Sequence, residues 1–211
     1  MKRFPRLSPA APTKIVCVGR NYGAHAKELG NEVPKEPLLF MKPPSSLLAP
    51  DGTVFLPPES ERVEHEAELA VVIGTQGRRI PVARALDHVF GYTIACDVTA
   101  RDLQKKDGQW TRAKGFDGFC PLGPGVVQGV DPGALGVRLR VNGQARQDGN
   151  TRDMVFDVAT LVAYVSNVMT LEPGDLILTG TPEGVGPLVA GDRVEVEIDG
   201  IGVLRFGVEK E

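Results

Sequence analysis

The chain has 211 residues, 42% hydrophobic and 24% charged, with 25 Gly and 17 Pro. Its 24 Lys and Arg face 27 Asp and Glu, a formal net charge of −3, which speaks against a protein built on attraction to a phosphate backbone. No stretch approaches the roughly 18–20 continuous apolar residues of a membrane span. Met1 to Pro12 lacks the apolar core of a signal peptide, so a cytoplasmic protein is expected.

The length suits one large domain or two cramped ones, with a core that needs no disulfide or metal staple. Cys17, Cys96 and Cys120 are odd in number, widely spaced and without a CxxC pair, and read as reduced, buried thiols. Lys14 to Gly19 is a short apolar run bounded by Gly, a buried strand. Arg20 to Glu28 is polar and fits one or two helical turns. From Gly30 to Pro58 the chain carries seven prolines, which forbids a helix, places any strands at sheet edges, and suggests a functional or mobile segment. Leu69 to Gly74 and Gly91 to Cys96 read as buried strands. Between them Pro81, at the first position of a helix, opens a short helix to Val89. Val137, Leu139 and Val141 alternate with arginines before an Asn142-Gly143 hairpin turn. Asp157 caps a helix whose Val158, Leu161, Val162, Val165, Val168 and Met169 share one face, ended by Pro173-Gly174. Strands follow at Asp175 to Leu178, Val194 to Ile198 and, after a turn at Asp199-Gly200, Val203 to Phe206. The pattern is α+β, mostly β with few helices.

Glu66 and Glu68 lie two apart where a buried strand begins, so their carboxylates share a face. Two buried like charges need a cation, unless the strand end is solvated, as nearby Glu61 and Glu64 would suggest. Asp97, at the end of another apolar strand, adds a third carboxylate. All-oxygen ligation favours Mg²⁺ or Mn²⁺, with Ca²⁺ behind them. His65 points to the opposite face and reads as a core or supporting histidine. His25 and Glu28 form an H-x-x-E pair, neighbours on a helical turn, suited to a general base oriented by a carboxylate; the spacing also fits a solvated helix face. Thr179 to Gly186 is a Gly-rich loop without the Lys of a P-loop, either a plain turn or a loop offering N–H groups to an anion. Lys42 and Lys114 are lone cations among apolar or small neighbours; either could bind a carboxylate or merely be solvated.

The segments GRNYGAHAKELG, FMKPPSS, HEAELAVVIG, GYTIACDVTARDLQ, AKGFD, MTLEPGDLILTGTPEGVG and GDRVEVEIDGIG, in this order, resemble the fumarylacetoacetate hydrolase superfamily. The likeness is to its short, single-domain acylpyruvate and fumarylpyruvate hydrolases and hydroxyheptadienedioate isomerases and decarboxylases. It spans about Lys14 to Gly202, leaving an N-terminal extension over 1–13 before one catalytic domain over 14–211, with a lid or pocket segment at about 20–58. The resemblance implies a mixed β-sandwich roll of the family's C-terminal-domain type. It implies Mg²⁺ or Mn²⁺ held by Glu66, Glu68 and Asp97, and His25 with Glu28 as the catalytic dyad. It further implies that Gln104 and Lys114 stabilise developing negative charge, that Arg20, Lys42 and Thr181 line an anionic substrate, and that the chain forms a homodimer. Arg205 stands where the resemblance would put Asn. The expected activity is metal-dependent hydrolysis of the C–C bond of acylpyruvate-type β-diketo acids. The alternatives are isomerisation of 2-hydroxyhepta-2,4-diene-1,7-dioate, decarboxylation of a 2-oxo acid in aromatic catabolism, or an idle metal-stabilised scaffold.

Overall fold

The structure, a computed structural model, describes residues 12–28 and 30–211. The expected N-terminal extension lies outside the described residues, apart from Pro12 and Thr13. A seven-stranded sheet runs in the order Leu38–Lys42, Ile15–Gly19, Leu176–Leu178, Ala67–Ile73, Val89–Cys96, Cys120–Val127, Leu47–Leu48. Pairing is mixed: Ile15–Gly19 runs parallel to Leu176–Leu178, and Cys120–Val127 parallel to Leu47–Leu48, while the other neighbours are antiparallel.

Chain connectivity forces this sheet to curl. Its two outermost strands are joined by the short 3₁₀ turn Pro44–Ser46, so Lys42 and Leu47 lie at most about 17 Å apart. A flat sheet would separate its edges by six strand spacings, about 29 Å. The roll that results has a filled interior: Ile15, Cys17, Ala70, Val72, Ala95, Cys120, Leu122, Leu176 and Leu178 are buried together there. The alternate residues Val16, Val18, Leu69, Val71, Ile73, Ile94 and Cys96 face outward into the main core. The strand Ala67–Ile73 is therefore apolar on both faces, the physical reason its sequence runs rather than alternates.

Across the main core lies a five-stranded sheet in the order Gln144–Asn150, Gly136–Val141, Arg193–Ile198, Gly202–Lys210, Thr53–Leu56. Its strands do alternate, with Val137, Leu139, Val141, Val194, Val196 and Ile198 turned inward. Asn142 (φ 52°) and Gly143 (φ 78°) both take positive φ, as a tight primed hairpin turn requires. Arg205 pairs with Glu195 directly opposite it at 2.6 Å. The helix Val158–Val168 packs Leu161, Val162 and Val165 into the same core, and Asp157 caps it by accepting from Thr160 N at 2.8 Å. It stops at Val168, with Met169 extended, before Pro173 is reached. A three-stranded sheet of Gly186–Pro187, Val63–His65 and Thr99–Ala100 completes the fold, a mostly β, curled mixed-sheet architecture with few helices.

The proline-rich stretch carries no α-helix, and its three strands, Leu38–Lys42, Leu47–Leu48 and Thr53–Leu56, all lie at sheet edges. These strands tie much of the anticipated lid segment into the sheets. The segment Val82–His88 is a 3₁₀ helix, and Pro81 stands just before it, extended, rather than inside it. No described helix is long and apolar enough to cross a membrane. All three cysteines are buried and free. Burial pushes their thiols up, Cys120 to about 12, so none is poised as a thiolate nucleophile.

Candidate active site

Two strand ends line one cavity of about 460 Å³, and a third places Asp97, fully buried, behind its wall. Ile15–Gly19 ends in Arg20, whose positive φ of 59° turns the chain out of the sheet and into the helix Gly23–Glu28. Asn21 fixes that turn, donating to Thr179 O (2.8 Å) and Phe156 O (3.0 Å) and accepting from Phe156 N (2.8 Å). Ala67–Ile73 begins between Glu66 and Glu68, and Val89–Cys96 delivers Asp97, whose N–H donates to Glu66 O at 2.8 Å. Arg20, His25, Glu28, Glu66, Glu68, Gln104, Lys114 and Thr181 line the cavity.

Glu66, Glu68 and Asp97 each offer an oxygen within 4.8 Å of the others, and all three are buried. Asp97 accepts from Lys42 Nζ at 2.7 Å and from Lys114 Nζ at 2.6 Å. Lys114 also reaches Glu66 at 2.8 Å and lies 5.0 Å above the Phe40 ring. Arg101 binds Glu66 through one terminal nitrogen and Glu64 through Nε at 2.7 Å. Burial pushes the Glu66 carboxyl up, but Lys114 and Arg101 outweigh it and hold Glu66 well below the usual carboxylate range. Glu68 has no cationic partner among the described residues; Gly180 N donates to it at 2.7 Å. Burial, with Asp97 and Glu66 adding to it, pushes Glu68 well above its ordinary value.

Four buried carboxylates, Glu64, Glu66, Glu68 and Asp97, thus face three buried cations, Lys42, Arg101 and Lys114. A divalent ion fits this set: the donors are all oxygens, Glu68 has no cation bonded to it among the described residues, and Glu66, Glu68 and Asp97 each offer an oxygen within 4.8 Å of the others.

His25 Nδ1 lies 3.2 Å from Glu28 Oε2, with the imidazole only 6% exposed and Glu28 35% exposed. Glu28 also accepts from Gly184 N at 3.1 Å. The pair therefore belongs to the cavity wall, with the imidazole enclosed and Glu28 still reaching solvent. His65 turns the other way, as strand alternation requires, and lies 3.2 Å from Gln147 Oε1. Burial pushes the His65 ring down, against the opposing pull of that hydrogen bond.

Two expectations change. Lys42 is not among the cavity-lining residues: fully buried, it binds Asp97 and, at 3.1 Å, the Val98 carbonyl, so it supports a site carboxylate from behind. Glu64 does not mark a solvated strand end: it is 1% exposed and held by Arg101 and Arg62. The sequence reading also passed over Arg101, Trp110 and Gln147. Arg101 begins the helix Arg101–Asp107 and Gln104 follows three residues on, one turn along the same face, so Arg101 donates to Gln104 Oε1. That i, i+3 spacing was a usable signal. Trp110 lines the cavity edge-on to Phe40, ring centroids 5.0 Å apart.

A family model described as the fumarylacetoacetate (FAA) hydrolase C-terminal domain matches residues 14–209. Over 204 residues the chain is 50% identical to the mitochondrial oxaloacetate tautomerase FAHD1 of Arabidopsis thaliana, covering 94% of this chain and 92% of that protein. The crystal structure of 2-hydroxyhepta-2,4-diene-1,7-dioate isomerase from Mycobacterium marinum matches with a TM-score of 0.90 at 47% identity, covering 99% of this chain and 77% of that one. That of fumarylpyruvate hydrolase from Pseudomonas aeruginosa in complex with Mn²⁺ and pyruvate matches with a TM-score of 0.88 at 37% identity, covering 95% and 91%. With a family model spanning residues 14–209 and a relative half identical to it over 94% of its length, this chain belongs to the fumarylacetoacetate hydrolase family.

Proposed function

We propose that this protein is a divalent-metal-dependent enzyme of short 2-oxo acids that hydrolyses the C–C bond of acylpyruvate-type β-diketo acids to pyruvate and a carboxylic acid. The observation that carries this reading is the His25–Glu28 pair, its imidazole buried, on the wall of the cavity that holds Glu66 and Glu68. Mg²⁺ or Mn²⁺ held by Glu66, Glu68 and Asp97 would supply Lewis-acid stabilisation of negative charge on the 2-oxo acid.

The chain's own residues supply the remaining steps. Glu28 engages His25 Nδ1, fixes the tautomer and leaves Nε2 to take a proton from water, whose oxygen adds to the distal carbonyl. Gln104 Oε1 is already engaged by Arg101, so its NH₂ group is the end left to donate to the new oxyanion, with Lys114 adding positive charge. As the carbonyl re-forms, the C–C bond breaks and its electron pair passes into the pyruvate half as an enolate. His25 returns its proton to that carbon. Arg20 and Thr181 hold the anionic substrate against the wall.

A second reading, keto–enol tautomerisation or decarboxylation of oxaloacetate, uses the same enolate. One observation favours it: exposed Arg62 and Lys105 join Arg20 around the cavity, three cations suited to a second substrate carboxylate. Double-bond migration in a hydroxyheptadienedioate would use the same groups. Turnover of acetylpyruvate, fumarylpyruvate and oxaloacetate with Mg²⁺ and with Mn²⁺ separates these readings. His25→Ala should slow hydrolysis by roughly 10²–10⁴-fold while retaining Mn²⁺ affinity. Unimpaired hydrolysis by that variant would overturn the leading reading, and consumption of oxaloacetate alone by the wild type would select the second.

A further inference from the structure

Gln147 lies on Gln144–Asn150, an edge strand of the five-stranded sheet, far in sequence from every residue of the site. Its side chain is nevertheless buried, with 1% of the residue exposed, and all of its hydrogen-bonding capacity is used. Oε1 accepts from Ala67 N at 3.0 Å and lies 3.2 Å from His65 Nδ1. Nε2 donates to Thr181 Oγ1 and to Pro182 O, both at 2.8 Å. The Ala67 amide can only donate and the Pro182 carbonyl can only accept, so the orientation of the Gln147 amide is determined by its partners. His65 Nδ1 must in turn carry a hydrogen.

The consequence reaches the cavity through Thr181. A hydroxyl has one hydrogen and two lone pairs. Thr181 Oγ1 spends a lone pair on Gln147, which keeps its own hydrogen free to be donated on the cavity side that Thr181 lines. The same strand seats the loop that carries Thr181. A Cβ on Gly149 would come within 2.4 Å of Pro182, and a Cβ on Gly184 within 2.1 Å of the Arg146 carbonyl. From this seat the loop also presents Gly180 N to Glu68 and Gly184 N to Glu28.

We propose that Gln147 is a positioning residue: it sets the Thr181 hydroxyl as a donor to the substrate carboxylate and ties that hydroxyl to the strand start between Glu66 and Glu68. The proposal rests on the reading of the cavity as a 2-oxo-acid site. It gives the outer strand of the second sheet a part in recognition that no cavity-lining residue reveals.

The test is calorimetric binding of pyruvate to the Mn²⁺-loaded protein, with Mn²⁺ affinity measured separately. Gln147→Met removes both ends of the amide. Gln147→Glu keeps an acceptor for Ala67 and His65 but replaces the donor to Thr181. Each should weaken pyruvate about tenfold or more, as Thr181→Val does, with Mn²⁺ affinity held within about twofold. The double variant Gln147→Met with Thr181→Val should bind pyruvate no more weakly than Thr181→Val alone, because Gln147 acts through that hydroxyl. Unchanged pyruvate affinity in the Gln147 variants, or losses that add in the double variant, would overturn the proposal. Loss of Mn²⁺ and pyruvate binding together in both Gln147 variants would overturn it in favour of a purely architectural role. Failure of the Mn²⁺-loaded wild type to bind pyruvate would instead overturn the reading of the site itself.

Discussion

Glu68→Gln should stabilise the metal-free protein and weaken its response to metal. Glu68 is 2% exposed, has no cationic partner among the described residues, and faces Asp97 and Glu66. Gln keeps the shape and an oxygen for the Gly180 amide but removes the charge. A buried polar group left poorly compensated costs about 1–3 kcal/mol, more when charged, and a neutral group of the same volume relieves that cost. For a chain of this size each kcal/mol moves the Tm by about 2–4 °C, so in chelator the variant should melt at least a few degrees higher. Metal reverses the order. At a Mn²⁺ concentration one hundred times its Kd, the wild type gains about 2.7 kcal/mol, or about 5–10 °C. Losing a ligand carboxylate should cost no less than the 10–100-fold in affinity typical of losing a residue that merely supports a ligand. At a hundredfold loss the same Mn²⁺ concentration equals the variant's Kd, where the gain is about 0.4 kcal/mol and about one degree. Differential scanning calorimetry in EDTA and in Mn²⁺ reads both arms. An equal Mn²⁺ shift in the two proteins would remove Glu68 from the ligand set, and a lower Tm for the variant in EDTA would refute the account of an uncompensated carboxylate.

Two further predictions concern the frame around the site. Asp175 accepts from Thr13 N (3.0 Å), Thr13 Oγ1 (2.7 Å), Lys14 N (3.2 Å) and Glu172 N (2.8 Å) and pairs with Lys14 Nζ. Burial pushes its carboxyl up, but these partners outweigh it and leave it below the ordinary value. A depressed folded-state pKa stabilises above the unfolded value, about 3.9, and the effect is lost as pH falls through the folded value beneath it. Asp175→Asn should therefore cost about 1.5–3 kcal/mol in urea unfolding at pH 5–8, with the gap closing below about pH 4; a gap that widens on acidification would contradict this. Gly184→Ala should cost at least about 1–3 kcal/mol and slow hydrolysis, since at φ +91° its Cβ would meet the Arg146 carbonyl and displace the N–H that Glu28 accepts. Gly30→Ala is the control: φ is +70° but nothing lies within 4 Å of the added Cβ, so only the backbone cost, about 1 kcal/mol, should appear in its Tm.

What could be read from the sequence was governed by period. Leu69 to Gly74 and Gly91 to Cys96 announce themselves as mostly apolar runs because both faces of their strands are buried there, and Val137 to Val141 alternates because one face is not. Cys120–Val127 offered no such signal. Its sequence, CPLGPGVV, is half Gly and Pro, residues that read as loop, and tertiary pairing with Val89–Cys96 and Leu47–Leu48 overrides that local preference. The short helix after Pro81 forms over Val82–His88 as 3₁₀ turns, since so short a segment has little cooperativity to hold an α-helix.

The site divides along the same line. The three carboxylates were legible because strand geometry places Glu66, Glu68 and Asp97 without reference to anything remote. Their compensation was not, because charge balance is a property of the assembled cluster. Glu64 illustrates the point: taken with its neighbours in sequence it suggested solvent, yet Arg101, 37 residues away, buries it. Lys42 likewise looked like a hand held out to substrate and is instead committed to Asp97. The residues hardest to foresee, Arg101, Lys42 and Gln147, share one trait. Each contacts a carboxylate or hydroxyl of the candidate site, and each comes from a different part of the fold: a helix start, an edge strand of the first sheet and an edge strand of the second. A motif records which groups meet the ligand, but the supports are chosen by which elements happen to pass behind those groups. In a rolled sheet packed on a second sheet, that is decided by strand order, and no short stretch of sequence carries it.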